Sequence, residues 1–159
     1  MADQVNLLIV GDGPVSDALV PMVSALGWSP TVALTDPSIG PDVDAVVVTS
    51  HHEDVDGPAI KAALTLKTAY VGAMGSRRTQ ARRRAWLLAN DVTEADLTAL
   101  HAPIGLDIGA DEPGEIAVSI LAEIVAVRRG RASAVTSISA RDGAIHPELA
   151  PGEATCPGG

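Results

Sequence analysis

The chain has 159 residues, of which 47% are hydrophobic and only 2% aromatic, with no Phe. This length suits a single domain, and a core of Val, Ile, Leu and Ala is typical of a parallel sheet covered by helices on both faces. The formal net charge of −9 argues against general nucleic-acid binding and against docking on an anionic membrane surface.

The single cysteine, Cys156, excludes an intrachain disulfide and a cysteine-based metal site within one chain. The first residues lack the charged and then apolar layout of a signal peptide. No apolar run reaches the roughly 18 residues that a membrane span needs. We therefore expect a cytoplasmic protein from a reducing compartment.

Short apolar runs alternate with segments of helical periodicity along the chain. The alternation predicts parallel strands joined by right-handed crossovers, hence an α/β fold with a Rossmann-like doubly wound sheet in one domain over 1–147. Residues 148–159 are expected to form a disordered tail. Strands are predicted at 6–10, 31–34, 45–49 and 69–72. Helices are predicted at 14–26, 58–66, 113–129 and from either Ser76 or Thr79 to about Asn90, with a short helix after a capping box at 93–96.

A glycine-rich turn lies between the first predicted strand and the first helix. Gly11 permits a tight turn, and Gly13 lets the backbone approach a pyrophosphate seated on the N-terminus of the helix that Pro14 begins. Asp36 closes the second predicted strand at a separation that suits a ribose hydroxyl. The turn therefore predicts a nucleotide-type ligand.

Two residues depart from the usual pattern of such a turn. Ser16 stands where Gly or Ala is usual, which predicts looser packing of the helix on the strand, and Asp12 places a negative charge beside the phosphate position. The alternative interpretation is a Rossmann turn that no longer binds a nucleotide.

The segment 49–54 (TSHHED) follows the third predicted strand, and ligands of open α/β sheets bind outside the carboxyl ends of strands. His51 is predicted to hydrogen-bond a ligand there. A solvated loop is the alternative. A metal site is disfavoured because adjacent side chains seldom point to the same place.

A second glycine-bearing segment leaves the fourth strand and enters a helix. Free backbone N–H groups, a hydroxyl and two guanidinium groups would form an anion cradle there. Its residues are Gly72, Gly75, Ser76, Arg77 and Arg78. The alternative is a helix whose arginines are merely solvated, and this is the expectation for Arg82, Arg83 and Arg84.

The apolar loop 101–109 precedes the last helix. Asp107 in this loop would accept hydrogen bonds from the N–H groups of a heterocycle. A cap and turn that lead into the helix are an equally good explanation.

Three segments, 69–83, 101–130 and 143–147, together resemble the C-terminal Rossmann domain of the XdhC/CoxI family, and the resemblance extends more weakly through 11–19 and 44–56. Members of this family are accessory proteins of molybdenum hydroxylases such as xanthine dehydrogenase and carbon monoxide dehydrogenase. The resemblance implies binding of a molybdopterin-type cofactor, including its cytosine dinucleotide form, and help with its sulfuration and its insertion into the apo-hydroxylase. The ligand positions implied by resemblance are Gly11, Gly13, His51, Gly72, Gly75, Ser76, Arg77 and Asp107.

Longer members of that family carry an N-terminal domain without a counterpart in these 159 residues. A second accessory subunit or a homodimer would then complete the site, and the chain also resembles the short CoxF-type accessory proteins. Two other functions stay open from the residues alone: an NAD(P)-binding oxidoreductase, and a Rossmann scaffold that binds only a protein partner. No residue is assigned a catalytic role.

Overall fold

A computed structural model describes residues 4–146 and shows a five-stranded, all-parallel sheet. The strand order is β2-β1-β3-β4-β5, so the chain moves outward in one direction from β1 to β2 and then in the other direction from β3 to β5. This reversal beside β1 confirms the predicted doubly wound α/β fold. The strands are β1 (Asn6–Val10), β2 (Ser29–Ala33), β3 (Ala45–Val48), β4 (Tyr70–Ala73) and β5 (Leu100–His101).

Helices cover both faces of the sheet. They are α1 (Pro14–Ala25), α2 (Glu53–Thr65), α3 (Arg77–Ala89), α4 (Glu94–Leu97) and α5 (Pro113–Arg128), followed by 3₁₀ turns at Ala132–Ala134 and Ile138–Ala140. Because side chains alternate across a strand, Leu7 and Ile9 pack under α1 and α5, whereas Leu8 and Val10 pack under α2 and α3. Within residues 4–146, no helix is long and apolar enough to cross a bilayer.

Most predicted bounds lie within two residues of the observed ones, but α2 is an exception. It begins at Glu53, five residues before the predicted start at Pro58. Proline is favoured in a first turn, yet the preceding turn is held helical by the burial of Asp56 and by the contact of Gly57 with the Trp86 ring. The two-residue strand β5 was not predicted, because two residues carry no period.

The capping box predicted at Thr93 is confirmed: its side chain accepts from the Asp96 N–H at 3.1 Å, and the Asp96 carboxylate accepts from the Thr93 N–H at 3.0 Å. The predicted tail at 148–159, with Cys156, lies outside the described residues.

Candidate functional site

The carboxyl ends of β1 and β3 meet at the point where the strand order reverses, and two of the predicted segments come together there. Gly11 has φ +126°, and a Cβ on it would lie 2.5 Å from Thr49 Oγ1 and 2.6 Å from the Ser50 nitrogen. No other residue fits so close an approach. The glycine-rich turn and the TSHHED segment therefore meet at the point where open α/β sheets bind ligands, and we call this place the crevice.

Ser16 locks this turn instead of loosening it. Its side chain is buried, and its hydroxyl donates to the Gly11 carbonyl at 3.0 Å and lies 2.8 Å from Thr49 Oγ1. The expectation of looser packing at this position is therefore wrong. A hydroxyl replaces the close helix–strand contact of a glycine with hydrogen bonds that tie α1 to the ends of β1 and β3.

The N-terminus of α1 directly follows the glycine-rich turn. Pro14 occupies the first turn and Gly13 is the N-cap with φ 111°, and among residues 4–146 no side chain caps the helix. The first N–H groups of a helix need an external acceptor and sit in the positive field of its dipole. The arrangement suits a phosphate, although the exposed carboxylate of Asp12 in the same turn opposes one.

Asp36 lies in the loop after β2 and not at the strand end where it was predicted. β2 ends at Ala33, and Asp36 is exposed three residues later with φ 43°. The Gly11 N–H donates to the Ala33 carbonyl at 2.9 Å and so keeps the end of β2 beside the turn. Any contact of Asp36 with a ligand would come from the loop after β2.

His51 is half-buried and lies two residues before the start of α2. Burial and the nearby Arg83 cation lower the pKa of its imidazole below the ordinary 6.5. The neutral ring, with one donor and one acceptor, is therefore the favoured form at neutral pH. Within residues 4–146, no three His, Cys, Asp or Glu side chains are grouped so as to hold a metal ion.

Arg83 is buried, and the expectation that it is solvated is wrong. One terminal nitrogen donates to the Ser50 carbonyl at 2.8 Å and to Asp56 Oδ2 at 2.7 Å, and the other donates to the carbonyl of Met74. The side chains of Arg83 and Asp56 are only 3% and 1% exposed. Arg83 therefore joins the carboxyl ends of β3 and β4 beneath the crevice.

The two neighbouring arginines do face solvent, as predicted. Arg82 is 59% exposed and lies 3.5 Å from Glu53, and Arg84 is 50% exposed and pairs with Glu94.

In the second predicted anion cradle, Arg77 and Ser76 form hydrogen bonds to other residues of the chain. Arg77 Nε donates to the Gly143 carbonyl at 3.1 Å, and its Nη2 donates to the carbonyls of Ile138, at 3.0 Å, and Arg141. The Ser76 hydroxyl caps α3 by accepting from the Thr79 N–H at 3.2 Å. The Arg77 guanidinium, which was expected to hold an anion, is thus engaged by the segment 138–143, which we call the C-terminal strap.

The other members of that cradle differ among themselves. A Cβ on Gly72 would lie 2.5 Å from Ile104 Cδ1, so this glycine serves internal packing. Gly75 has φ +134°, and its Cβ would meet Arg83 Nη1 at 3.2 Å. Arg78 is exposed at the start of α3.

Asp107 belongs to the same edge of the sheet. Its carboxylate forms an ion pair with Arg141 Nε at 3.0 Å, and its N–H donates to the Thr136 carbonyl at 2.8 Å. Arg77 and Asp107 are thus brought together through the strap. They lie at the ends of β4 and β5, and β4 is the neighbour of β3 in the sheet.

A buried polar network under the loop 102–108 was not predicted. The Tyr70 hydroxyl donates to Glu123 Oε1 at 2.5 Å, and the Gly105 N–H donates to the same oxygen at 3.1 Å. His101 Nδ1 lies 3.5 Å from it, and the His101 ring stacks on Tyr70 at 4.7 Å. The signal in the sequence was a lone carboxylate, Glu123, among the apolar inward positions of α5.

Burial strongly raises the pKa of Tyr70, and the negative charge of Glu123 adds to the effect. Tyr70 is the only tyrosine, so the ultraviolet absorbance of its phenolate reports on it alone. Because its pKa is raised in the fold, its stabilising contribution is complete below the ordinary pKa of 10.0. The contribution falls by about 1.4 kcal/mol per pH unit above that value until the folded pKa is reached.

We therefore expect the phenolate to form only when the protein unfolds at alkaline pH, and near pH 10 in urea. Circular dichroism recorded in the same titration gives the state of the fold, and Tyr70→Phe provides the blank. Ionisation near pH 10 with an unchanged dichroism spectrum would contradict the buried network.

Comparisons with known proteins all point to one family. A family model described as the XdhC Rossmann domain matches residues 7–124. The chain is 30% identical over 128 residues to the molybdenum cofactor insertion chaperone PaoD of Escherichia coli, covering 78% of this chain and 40% of PaoD. It is 37% identical over 86 residues to a probable xanthine dehydrogenase subunit of Bacillus subtilis, covering 54% of this chain and 24% of that protein.

A solved structure shows the same fold. The crystal structure of a xanthine dehydrogenase (BH1974) from Bacillus halodurans superposes with a TM-score of 0.65 at 27% identity, over 80% of this chain and 44% of that one. The chain thus spans less than half the length of each of these relatives.

Proposed function

Because the chain belongs to the family of XdhC Rossmann domains, we propose that it is an accessory factor in the maturation of a molybdenum hydroxylase. In this proposal it binds a molybdopterin-type cofactor in the crevice between β1 and β3. The partner is the apo form of a hydroxylase subunit in the cytoplasm. The similarity to a cofactor insertion chaperone supports the role, and the geometry of the crevice supports the place.

The proposed location of the binding site is supported by the uncapped N-terminus of α1, which lies beside Gly11 and Gly13. A molybdopterin-type cofactor carries a phosphate, and its cytosine dinucleotide form a pyrophosphate, which are the groups that such a helix start accepts. The neutral His51 ring would hydrogen-bond the ligand from the β3 side. In the dinucleotide form, Asp36 would approach a ribose hydroxyl from the loop after β2.

The second glycine-bearing segment has a different role in this proposal. Arg77 donates to strap carbonyls and Asp107 pairs with Arg141, so they form the wall of the site at the ends of β4 and β5. Ser76 and Gly75 support that wall, and Arg78 is left exposed toward solvent at its rim. The redox chemistry belongs to the cofactor once it is in the hydroxylase, so no catalytic residue is assigned to this chain.

The role is tested by deleting the gene in its host and assaying the hydroxylases. The expected result is a hydroxylase that is present at normal abundance but inactive, and that regains activity when this chain is restored. Normal activity after deletion would reject the maturation role whatever the chain binds in vitro.

The binding site is tested by Asp12→Asn, which should tighten the affinity for a phosphate-bearing ligand by about fivefold. Removing a like charge near 4 Å in water is worth about 1 kcal/mol. The matched control is Asp91→Asn, which removes the same charge at a position with φ 69° that asparagine tolerates. Anaerobic calorimetric titrations with extracted cofactor, CDP, CTP, NAD and NADP give the measurement.

Equal affinities for the two variants would place the ligand outside the α1 turn. Binding of only NAD or NADP would favour the oxidoreductase alternative. If no ligand binds but the chain still captures the hydroxylase subunit, the domain is a scaffold.

A further inference from the structure

The outer side of α5 lacks the charges that a solvent-facing helix normally carries. Val118 is 50% exposed and Val125 38% exposed, with Ala122 half-buried between them. From Ile116 to Val127 the only charged residue is Glu123, and that residue points inward and is buried. A helix that is apolar on every side is typical of one buried on every side.

This pattern contrasts with the outward side of α3. The chain has 20 acidic and 11 basic residues, and the outward positions of α3 carry arginines such as Arg82 and Arg84. The opposite side of α5 is already covered by α1 and the sheet. The exposed side therefore has the composition of a contact surface.

The exposed positions follow one helical stripe, which we call the α5 stripe: Glu115, Val118, Ala122, Val125 and Arg129. The stripe is nearly symmetric about Ala122, with Val118 four residues before it and Val125 three residues after it. Glu115 and Arg129 lie at equal distances before and after it along the chain and have opposite charges. The two valines lie between the centre and the charged ends.

Such a stripe is complementary to itself. When two copies pack antiparallel around a two-fold axis through Ala122, each contact occurs twice. Val118 then faces the partner's Val125, and Glu115 faces the partner's Arg129. The small side chain at the centre permits the two helices to approach closely. The axes of packed helices lie about 8–10 Å apart, and α5 is about 24 Å long.

We propose that the chain forms a two-fold symmetric dimer through antiparallel packing of the α5 stripe against that of a second copy. The exposed side of the adjacent α1, with Asp17, Pro21 and Ser24, flanks the stripe and widens the contact. In this proposal, the α5 stripe is the contact surface of the homodimer that was expected from the sequence. It does not depend on cofactor binding in the crevice, which opens at the carboxyl edge of the sheet, so each proposal can fail without the other.

Cross-linking tests the symmetry axis directly. In a Cys156→Ser background, which removes the only native thiol, Ala122→Cys should oxidise to a disulfide-linked dimer because the two Cβ atoms face each other across the axis. The matched control is Ala85→Cys, on an exposed position of α3, which should stay monomeric on a denaturing gel. Equal cross-linking of both variants, or of neither, would overturn the interface.

Sedimentation analysis tests the energetics. The wild-type chain should sediment as a dimer, and Val118→Glu should weaken association at least tenfold while the melting curve stays near that of the wild type. A chain that stays monomeric up to about 100 μM, a weak affinity for a specific interface, would overturn the proposal. A dimer that Val118→Glu leaves unchanged would also overturn it.

Exchanging the charges of Glu115 and Arg129 distinguishes an effect on dimer formation from an effect on folding. Glu115 also accepts from the N–H groups of Asp111 and Glu112 at the start of α5, so Glu115→Arg alone would disturb the helix as well as the interface. Arg129→Glu alone should weaken the dimer severalfold. The double variant Glu115→Arg/Arg129→Glu should recover most of the association although it still lacks the cap, and failure to recover would contradict the antiparallel register.

Discussion

Replacing Arg83 by Gln is expected to lower the free energy of unfolding by about 3–5 kcal/mol, because the carboxylate of Asp56 then stays buried without its cation. The pair is 2.7 Å apart with both side chains nearly inaccessible to solvent. The same change at Arg82, one residue away and 59% exposed, should lower it by less than about 1 kcal/mol. Urea unfolding followed by circular dichroism measures both.

The double variant Asp56→Asn/Arg83→Gln distinguishes the cause. It removes the buried charge together with its partner, so it should be more stable than Arg83→Gln alone. If Arg83→Gln and Arg82→Gln are equally stable, Arg83 does not pair with Asp56 in the folded protein. Because Arg83 also donates to the carbonyls of Ser50 and Met74, its loss should weaken ligand binding in the crevice before the fold is lost.

Replacing Glu123 by Leu is expected to lower the free energy of unfolding by about 2–5 kcal/mol. The substitution leaves the Tyr70 hydroxyl and the Gly105 N–H without their acceptor, and an unsatisfied buried group costs about 1–3 kcal/mol. Glu123→Gln keeps an acceptor of nearly the same shape and should lose less. The measurement is urea unfolding at neutral pH, with Arg82→Leu on the exposed side of α3 as the matched control.

The pH dependence of the stability difference shows whether the ionised carboxylate of Glu123 is its source. Burial by itself raises the pKa of Glu123, but hydrogen bonds from its neighbours, His101 first among them, bring it below the ordinary 4.5. A lowered folded pKa means that the contribution is complete above pH 4.5 and is lost as the pH falls through the folded value. The stability difference between wild type and Glu123→Gln should therefore be constant at neutral pH and shrink in acid. A difference that grows in acid would contradict it.

The Glu123 network also bears on the site. Through Gly105 it holds the loop that carries Asp107, and Asp107 holds the strap by its pair with Arg141. The loop, the strap and Arg77 thus form one wall at the ends of β4 and β5. Loss of Glu123 should loosen this wall, and amide hydrogen exchange would locate the change at 104–108 and 136–143.

The sequence by itself was sufficient for the features that depend on local pattern. The bounds of β1 were predicted residue for residue, and most other elements to within two residues, because apolar period, capping residues and glycine stops act over one or two turns. The fold followed from the order of those elements. The glycine turn and the segment after β3 were each placed correctly after a strand of the parallel sheet, although their meeting was not predicted.

Only the tertiary structure decided which polar residues face inward. Arg82, Arg83 and Arg84 are consecutive and identical in type, so no local pattern separates them, and Asp56, 27 residues away, determines which one is buried. Ser16 was expected to loosen the packing of the helix on the strand. In the fold its hydroxyl lies beside that of Thr49, which is 33 residues away in the chain. Arg77 was expected to hold an anion, but carbonyls 61 to 66 residues later accept its hydrogen bonds. The position of a local element can be inferred from its neighbours in sequence, whereas the partner of a buried polar group is set by chain segments that meet only after folding.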